Sequence, residues 1–364
     1  MRFEMGIFLQ SPIAKSSVRL ILVCDCAVLH VDQTLWPLPK TSTLVVCIKL
    51  GRHLHQVQYC VWKSHRRPPF GRTRIIKHFR TLGTSQTQGL PPSNSMHSTP
   101  LVFSHANSFP ASTYSHLFSH LRKRGFAVQA IEKLGHDPQY PVSNNWKHLV
   151  QQVADFAQAQ ADEAGGPVWL AGHSLGGFLS LMAAARHPGL AKGVLLIDAP
   201  ILGGWRSMAL GVIKGAQLVG SLSPAAVSHK RRNSWPSEDA AYEHFKHKRA
   251  FAKWDDAVLR DYIAHGTVDR EGKRILAFDR EIETNIYNTI PDNLDRLLRR
   301  NPLKCPVSFI GGRQSWEMKR VGMGMTEKVT RGRIIMLDGT HLFPMEKPMA
   351  TAAAIETSLR NMGA

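Results

Sequence analysis

Apolar and polar positions follow a regular grammar over only part of this chain. In residues 101–104, 168–171 and 193–198 the apolar run is short and nearly continuous, as in strands buried on both faces, and 126–131 reads as a further strand. Between them, residues 112–123, 146–164 and 178–186 carry apolar positions at helical spacing. Strands alternating with helices in this way predict right-handed crossovers and a mostly parallel sheet. The grammar then breaks. Residues 199–304 hold no strong buried strand, but helical patterns at 205–219, 237–251, 255–265 and 290–300. Pro302 and Pro306 close that block, where a helix could not easily continue. The strand pattern resumes at 307–311 and 333–337, and a helical tail follows from Met349. The expected fold class is α/β: a mostly parallel sheet covered by helices on both faces, with a helical cap inserted over 199–304.

The first 95 residues read differently. Residues 43–50 and 56–62 could pair as strands across Gly51-Arg52-His53, and a Thr/Ser/Gln/Pro-rich, linker-like stretch fills 81–95. The expected division is a basic, poorly ordered leader over 1–95 and a main unit over 96–364. Charge follows the same division. The chain carries +19, and residues 1–95 hold 13 Lys+Arg against 3 Asp+Glu. Basicity is thus concentrated where a domain is least evident, which argues against reading the total as a nucleic-acid footprint. The preferred reading places the leader outside the functional unit, with Met96 a natural start; the other is a basic arm that meets anionic partners.

Cysteines also crowd the leader. Cys24, Cys26, Cys47 and Cys60 lie there, only Cys305 lies beyond, and no pair has zinc or redox spacing. A main unit with one cysteine suits a reducing compartment, and the expected location is cytoplasmic. No stretch is long and apolar enough for a membrane span. Neither a metal nor an organic cofactor is implied, and the sequence is silent on oligomeric state.

One stretch carries the chemistry. The apolar run at 168–171 leads into Gly172-His173-Ser174-Leu175-Gly176-Gly177, and a helical run follows at once. This G-x-S-x-G pattern between strand and helix is that of a nucleophile elbow. A serine at so sharp a turn is strained, and the residues two places either side must lack bulk for strand and helix to approach. The helix N-terminus behind it favours negative charge. The plain alternative is a glycine-rich packing turn.

From about Leu101 to the C-terminus the chain resembles the α/β-hydrolase superfamily, in its serine-nucleophile form with a helical cap. The elbow above is one motif. A second is the loop Ser104-His105-Ala106-Asn107-Ser108-Phe109-Pro110, similar to members with a His-Ala-Asn oxyanion loop. The third is Asp338-Gly339-Thr340-His341-Leu342-Phe343-Pro344. The resemblance implies Ser174 as nucleophile and His341, among 18 histidines, as the base that takes its proton. It also implies an oxyanion hole made by the backbone N–H of Leu175 and one from Ala106 or Asn107. His105 sits against that site and either braces the loop or is a plain strand-end histidine. The turn at Gly135-His136 is expected to serve loop structure.

The orienting acid departs from the pattern. Its usual place, a few residues past the strand at 307–311, is held by Ser315. Glu317 and Asp198 are the substitutes, with Glu317 slightly preferred. Asp198 could instead cap the turn into Ala199-Pro200, and Glu317 could simply favour a helix start. In the cap, Trp205, Trp235, Phe245, Phe251, Trp254 and Tyr262 read either as a wall for an apolar substrate or as helix packing. His229-Lys230-Arg231-Arg232 reads as a solvated charge run. The expected function is a serine hydrolase that cleaves an ester or similar acyl bond of a small molecule through an acyl-enzyme on Ser174. Its rivals are carbon–carbon bond hydrolysis by the same Ser/His pair and a non-catalytic binding protein on the same fold.

Overall fold

The continuous apolar runs become the strands of one parallel sheet. The computed structural model describes residues 42–50, 53–61, 98–201 and 224–364, with backbone alone for the first two segments and for 224–226. The helical pattern at 205–219, Trp205, the linker-like stretch and Met96 lie outside the described residues. The chain divides into two units, Met1–Gly89 and Leu90–Ala364. In the first, β1 (Ser42–Leu50) and β2 (His53–Val61) pair antiparallel, with Leu50 opposite His53. His53 therefore belongs to the second strand rather than to the turn expected there.

The second unit begins with β3 (Thr99–Ser104) and a 3-10 turn, Ala111–Tyr114, that leads into α1 (Ser115–Arg122). Then come β4 (Phe126–Ala130), α2 (Lys147–Glu163), β5 (Val168–His173), α3 (Leu175–Arg186) and β6 (Ala191–Ile197). The insertion holds α4 (Pro224–Lys230), β7 (Ser234–Trp235), α5 (Glu238–Lys246) and α6 (Asp256–Gly266). It continues through β8 (Thr267–Arg270), β9 (Lys273–Leu276), α7 (Arg280–Asn288) and α8 (Leu294–Arg300). The chain returns to the sheet with β10 (Val307–Gly312), α9 (Trp316–Val321), α10 (Gly324–Thr330) and β11 (Ile334–Leu337). It ends in α11 (Phe343–Glu346) and α12 (Pro348–Asn361).

The sheet order is β11-β10-β6-β5-β3-β4, and every neighbouring pair is parallel. Alternate side chains leave its two faces, as the pleat requires. Leu101, Phe103, Trp169, Leu195 and Ile197 pack with α1 and α12. Val102, Leu170, Val194, Leu196 and Phe309 pack with α2 and α3. Each such large apolar side chain contributes roughly 1.5–3 kcal/mol by leaving water. Both faces are dry at the centre, where every residue of β5 and β10 is buried, while the edge strand β4 leaves Gln129 exposed and β11 is only half-buried.

The insertion is less purely helical than its sequence pattern predicts. β7, β9 and β8 form a small antiparallel sheet. Its hairpin turns on Glu271 and Gly272, both at positive φ (52° and 74°), the two-residue loop suited to right-twisted strands. These strands are two to four residues long and exposed around the hairpin turn, so no apolar run announces them. The insertion's core is aromatic. Phe245, Phe251, Trp254 and Tyr262 are buried in mutual contact, and Phe109 of the sheet unit lies 5.6 Å, ring to ring, from Tyr262. For these residues the packing role holds.

Candidate active site

The turn between β5 and α3 is forced by close backbone contact. Ser174 has φ 52° and ψ −115°, outside both helix and strand, a conformation a non-glycine residue holds only when its surroundings impose it. Its own N–H is tied to Ile197 O at 2.9 Å. A Cβ on Gly172 would run into the backbone of Gly176, and one on Gly176 would run into the carbonyl of Ser104. The two glycines thus bring helix, strand and the β3 loop together beneath the serine. Ser174 is half-buried, and the Leu175 N–H stands at the first position of α3, where a helix supplies no acceptor.

His341 lies in the loop after β11. That loop is shaped by Glu346, whose carboxylate accepts from the Thr340 N–H at 3.0 Å and from the Thr340 hydroxyl. The His341 ring sits 4.9 Å from the ring of His173, the residue before Ser174. Its Nδ1 is 2.6 Å from Asp198 Oδ2, a contact that places the proton on Nδ1 and leaves Nε2 as the acceptor.

Asp198 follows β6 at φ 44° and is 1% exposed. Its Oδ1 accepts the Gly312 N–H at 2.8 Å, and its Oδ2 accepts the Ser315 hydroxyl at 2.5 Å as well as His341. Glu317 Oε2 stands farther off, 3.7 Å from His341 Nδ1, on a side chain that is 44% exposed. The preference for Glu317 is therefore not what the geometry favours; Asp198 holds the hydrogen bond. Ser315, at the place expected of an acid, donates instead to Asp198, and it also caps α9. Asp198, Glu317 and His341 are the residues, among those described, whose donor atoms lie near enough to hold a metal, within 4.8 Å of one another.

The loop after β3 is braced from both sides. His105 Nδ1 faces Ala106 O at 2.7 Å and its Nε2 accepts the Leu134 N–H at 2.8 Å, so both ring nitrogens are spent on backbone. Ala106 N–H donates to the Tyr114 hydroxyl at 3.1 Å, which removes it as an oxyanion donor. The Asn107 N–H belongs to the same trans peptide as Ala106 O and points the opposite way. Holding that oxygen therefore aims the N–H.

A family model described as the alpha/beta hydrolase family matches residues 101–354. The chain belongs to the alpha/beta hydrolase family. It is 29% identical over 129 residues to a monoglyceride lipase of Rattus norvegicus, covering 34% of this chain and 43% of that protein. It is 22% identical over 259 residues to a serine hydrolase-like protein of Dictyostelium discoideum, 66% of this chain and 69% of that protein. Against three further curated relatives the matched stretch spans 36%, 10% and 60% of their lengths. Among solved structures, E-2-(acetamidomethylene)succinate hydrolase superposes with a TM-score of 0.56 at 18% identity, covering 72% of this chain and 91% of that one. At that identity the likeness is one of fold.

Electrostatics distinguish the histidines of this alpha/beta hydrolase. For His341, burial alone would lower the pKa, but the hydrogen bond and charge of Asp198, with the charge of Glu317, outweigh it and hold the imidazole above an ordinary histidine. Burial lowers His105 to about 4 and takes His173 well below the ordinary value, so both are neutral near pH 7. His136 serves loop structure, as expected: its Nε2 accepts the Asp279 N–H at 3.0 Å, joining the turn after β4 to the start of α7.

The charge run at 229–232 is not merely solvated. Arg231 Nη2 lies 2.8 Å from Glu283 Oε2, and Glu283 is 5% exposed. The Glu283 backbone carbonyl also accepts from Asn107 Nδ2 at 3.1 Å, tying α7 to the loop after β3. Periodicity carried no sign of this pair; a buried acid in a helix shows itself only once its partner is placed. No described helix is long and apolar enough to cross a membrane.

Proposed function

We propose that this alpha/beta hydrolase cleaves an ester or similar acyl bond of a small molecule through an acyl-enzyme on Ser174, with residues 96–364 as the catalytic unit and 199–304 as its cap. The observation that carries the reading is the Asp198–His341 hydrogen bond beside the strained turn at Ser174. The kinship with a monoglyceride lipase supports the bond type.

In this reading His341 Nε2 takes the Ser174 hydroxyl proton as Oγ bonds to the acyl carbon. Asp198 fixes the imidazole tautomer and stabilises the imidazolium that forms. The N–H groups of Leu175 and Asn107 meet the oxyanion, and each such donor is worth roughly 100- to 1000-fold in rate. His341 returns the proton to the leaving alcohol. Water then attacks the acyl-enzyme by the same route, and the acid departs. His105 acts by holding Ala106 O, and Ser315 by holding Asp198; neither touches substrate.

A fluorophosphonate probe and an ester panel test the proposal together. The expected result is one adduct on Ser174 in wild-type protein, absent in Ser174→Ala, and ester turnover lost in that variant. Folded wild-type protein that takes no label would favour a binding role. Labelling without turnover of any ester would favour the carbon–carbon bond reading.

A further inference from the structure

Three loops bring the proposed nucleophile, base and oxyanion donor together, and a buried polar path that the chemistry does not use runs between them. His173 is fully buried, and Tyr114 is 2% exposed. His173 Nε2 lies 2.8 Å from the backbone carbonyl of His341, and its Nδ1 lies 2.8 Å from the Tyr114 hydroxyl. The same hydroxyl receives the Ala106 N–H at 3.1 Å.

One group sets every direction along this path. A carbonyl can only accept, so the His173 proton is on Nε2. Nδ1 must then accept, and the Tyr114 hydroxyl gives it its single proton. The phenol oxygen keeps lone pairs for the Ala106 N–H. The chain Ala106 N–H to Tyr114, Tyr114 to His173, and His173 to His341 O is fully satisfied. A charged His173 would present a second N–H to the phenol proton, and burial opposes that state. His105 carries the opposite tautomer: its Nδ1–H faces Ala106 O. Ala106 is thus held at its N–H by one path and at its carbonyl by the other.

We infer that Tyr114 and His173 are positioning residues, which lock the oxyanion loop to the loop of His341 and so set the distances at Ser174 without touching substrate. The inference rests on the serine-hydrolase reading above. The loop after β3 is also tied to the turn after β4 through His105 and to α7 through Asn107, and the loop of His341 to Asp198 and to Gln314, but none of these contacts runs from one loop to the other. The elbow residue His173 is the piece that spans them, because it reaches the Tyr114 hydroxyl with one nitrogen and the His341 carbonyl with the other.

Tyr114→Phe tests this in the full-length protein, because the ring keeps its packing 5.0 Å from Phe103 and 6.0 Å from Phe118. The expected result is kcat lowered roughly 10- to 100-fold with KM within twofold, since a misplacement of about 1 Å at the reacting groups costs that much. His173→Gln, which keeps a side-chain N–H for the His341 carbonyl, should retain more kcat than His173→Leu. The double variant Tyr114→Phe/His173→Leu should be no worse than His173→Leu alone, because both interrupt one path. An unchanged kcat in Tyr114→Phe overturns the inference, as does a loss matched by an equal fall in the fraction of Ser174 open to fluorophosphonate. Wild-type protein unlabelled at Ser174 would overturn the hydrolase reading itself, and the inference with it.

Discussion

At the carboxyl edge of the sheet, backbone meets backbone: Gly172 lies against the backbone of Gly176, Gly176 against Ser104 O, and Gly312 against the carbonyls of Gly339 and Thr340. In the insertion, side chain meets side chain: four aromatic rings fill its centre, and Arg231 faces a buried Glu283. The first arrangement allows little adjustment, because a backbone cannot rotate away from an intruding atom. The second can repack, since ring and guanidinium positions follow side-chain torsions. Changes at the sheet edge should therefore act on rate, whether or not stability falls with it, and changes in the insertion on stability without rate.

Asp198→Asn should cost the most, about 10³- to 10⁴-fold in kcat, because the amide no longer holds the proton on His341 Nδ1. If Glu317→Gln shows that loss and Asp198→Asn does not, the acid has been misassigned. Gly176→Ala tests whether the edge is as unforgiving as its contacts imply. It should abolish labelling of Ser174 and lower stability by about 3 kcal/mol, read by denaturant unfolding. A fully active Gly176→Ala protein would sink the contrast.

Glu283→Gln probes the insertion. It strips Arg231 of its partner in a mostly buried site, and stability should fall by about 2–3 kcal/mol. The folded fraction should keep kcat within a few fold; a rate loss on the scale of Asp198→Asn would show that the insertion acts on chemistry after all. Glu317→Gln should have the smallest effect, seen in the pH profile of kcat/KM. His341 must be neutral to take a proton, so activity is lost as pH falls through its pKa. The Glu317 charge raises that pKa, and its removal should move the acidic limb to lower pH. A limb that stays in place would remove Glu317 from the electrostatics of the site.

Legibility divided along the same line. The strand runs around Leu101, Leu170, Leu195 and Phe309 were readable because a parallel strand covered on both faces is apolar at every position. The elbow was readable because its glycines are a steric necessity at fixed spacing. The hairpin at Glu271-Gly272 is not legible because its strands are four residues long and charged toward the turn, and the Arg231–Glu283 pair is not because no local rule couples residues 52 positions apart. For the orienting acid the sequence offers Glu317 and Asp198 without ranking them by geometry.

What the amino acids determined by themselves was the alternation of buried strand and helix, and with it a parallel sheet that has a serine at one sharp turn. Tertiary structure alone decided that Asp198, not Glu317, hydrogen-bonds His341, that Ser315 donates to Asp198, and that His173 spans two loops. The physical reason is range. Burial and turn sterics act between residues a few places apart, whereas hydrogen bonds such as Asp198 to His341 join groups 143 positions apart and exist only after the sheet has set its strand order.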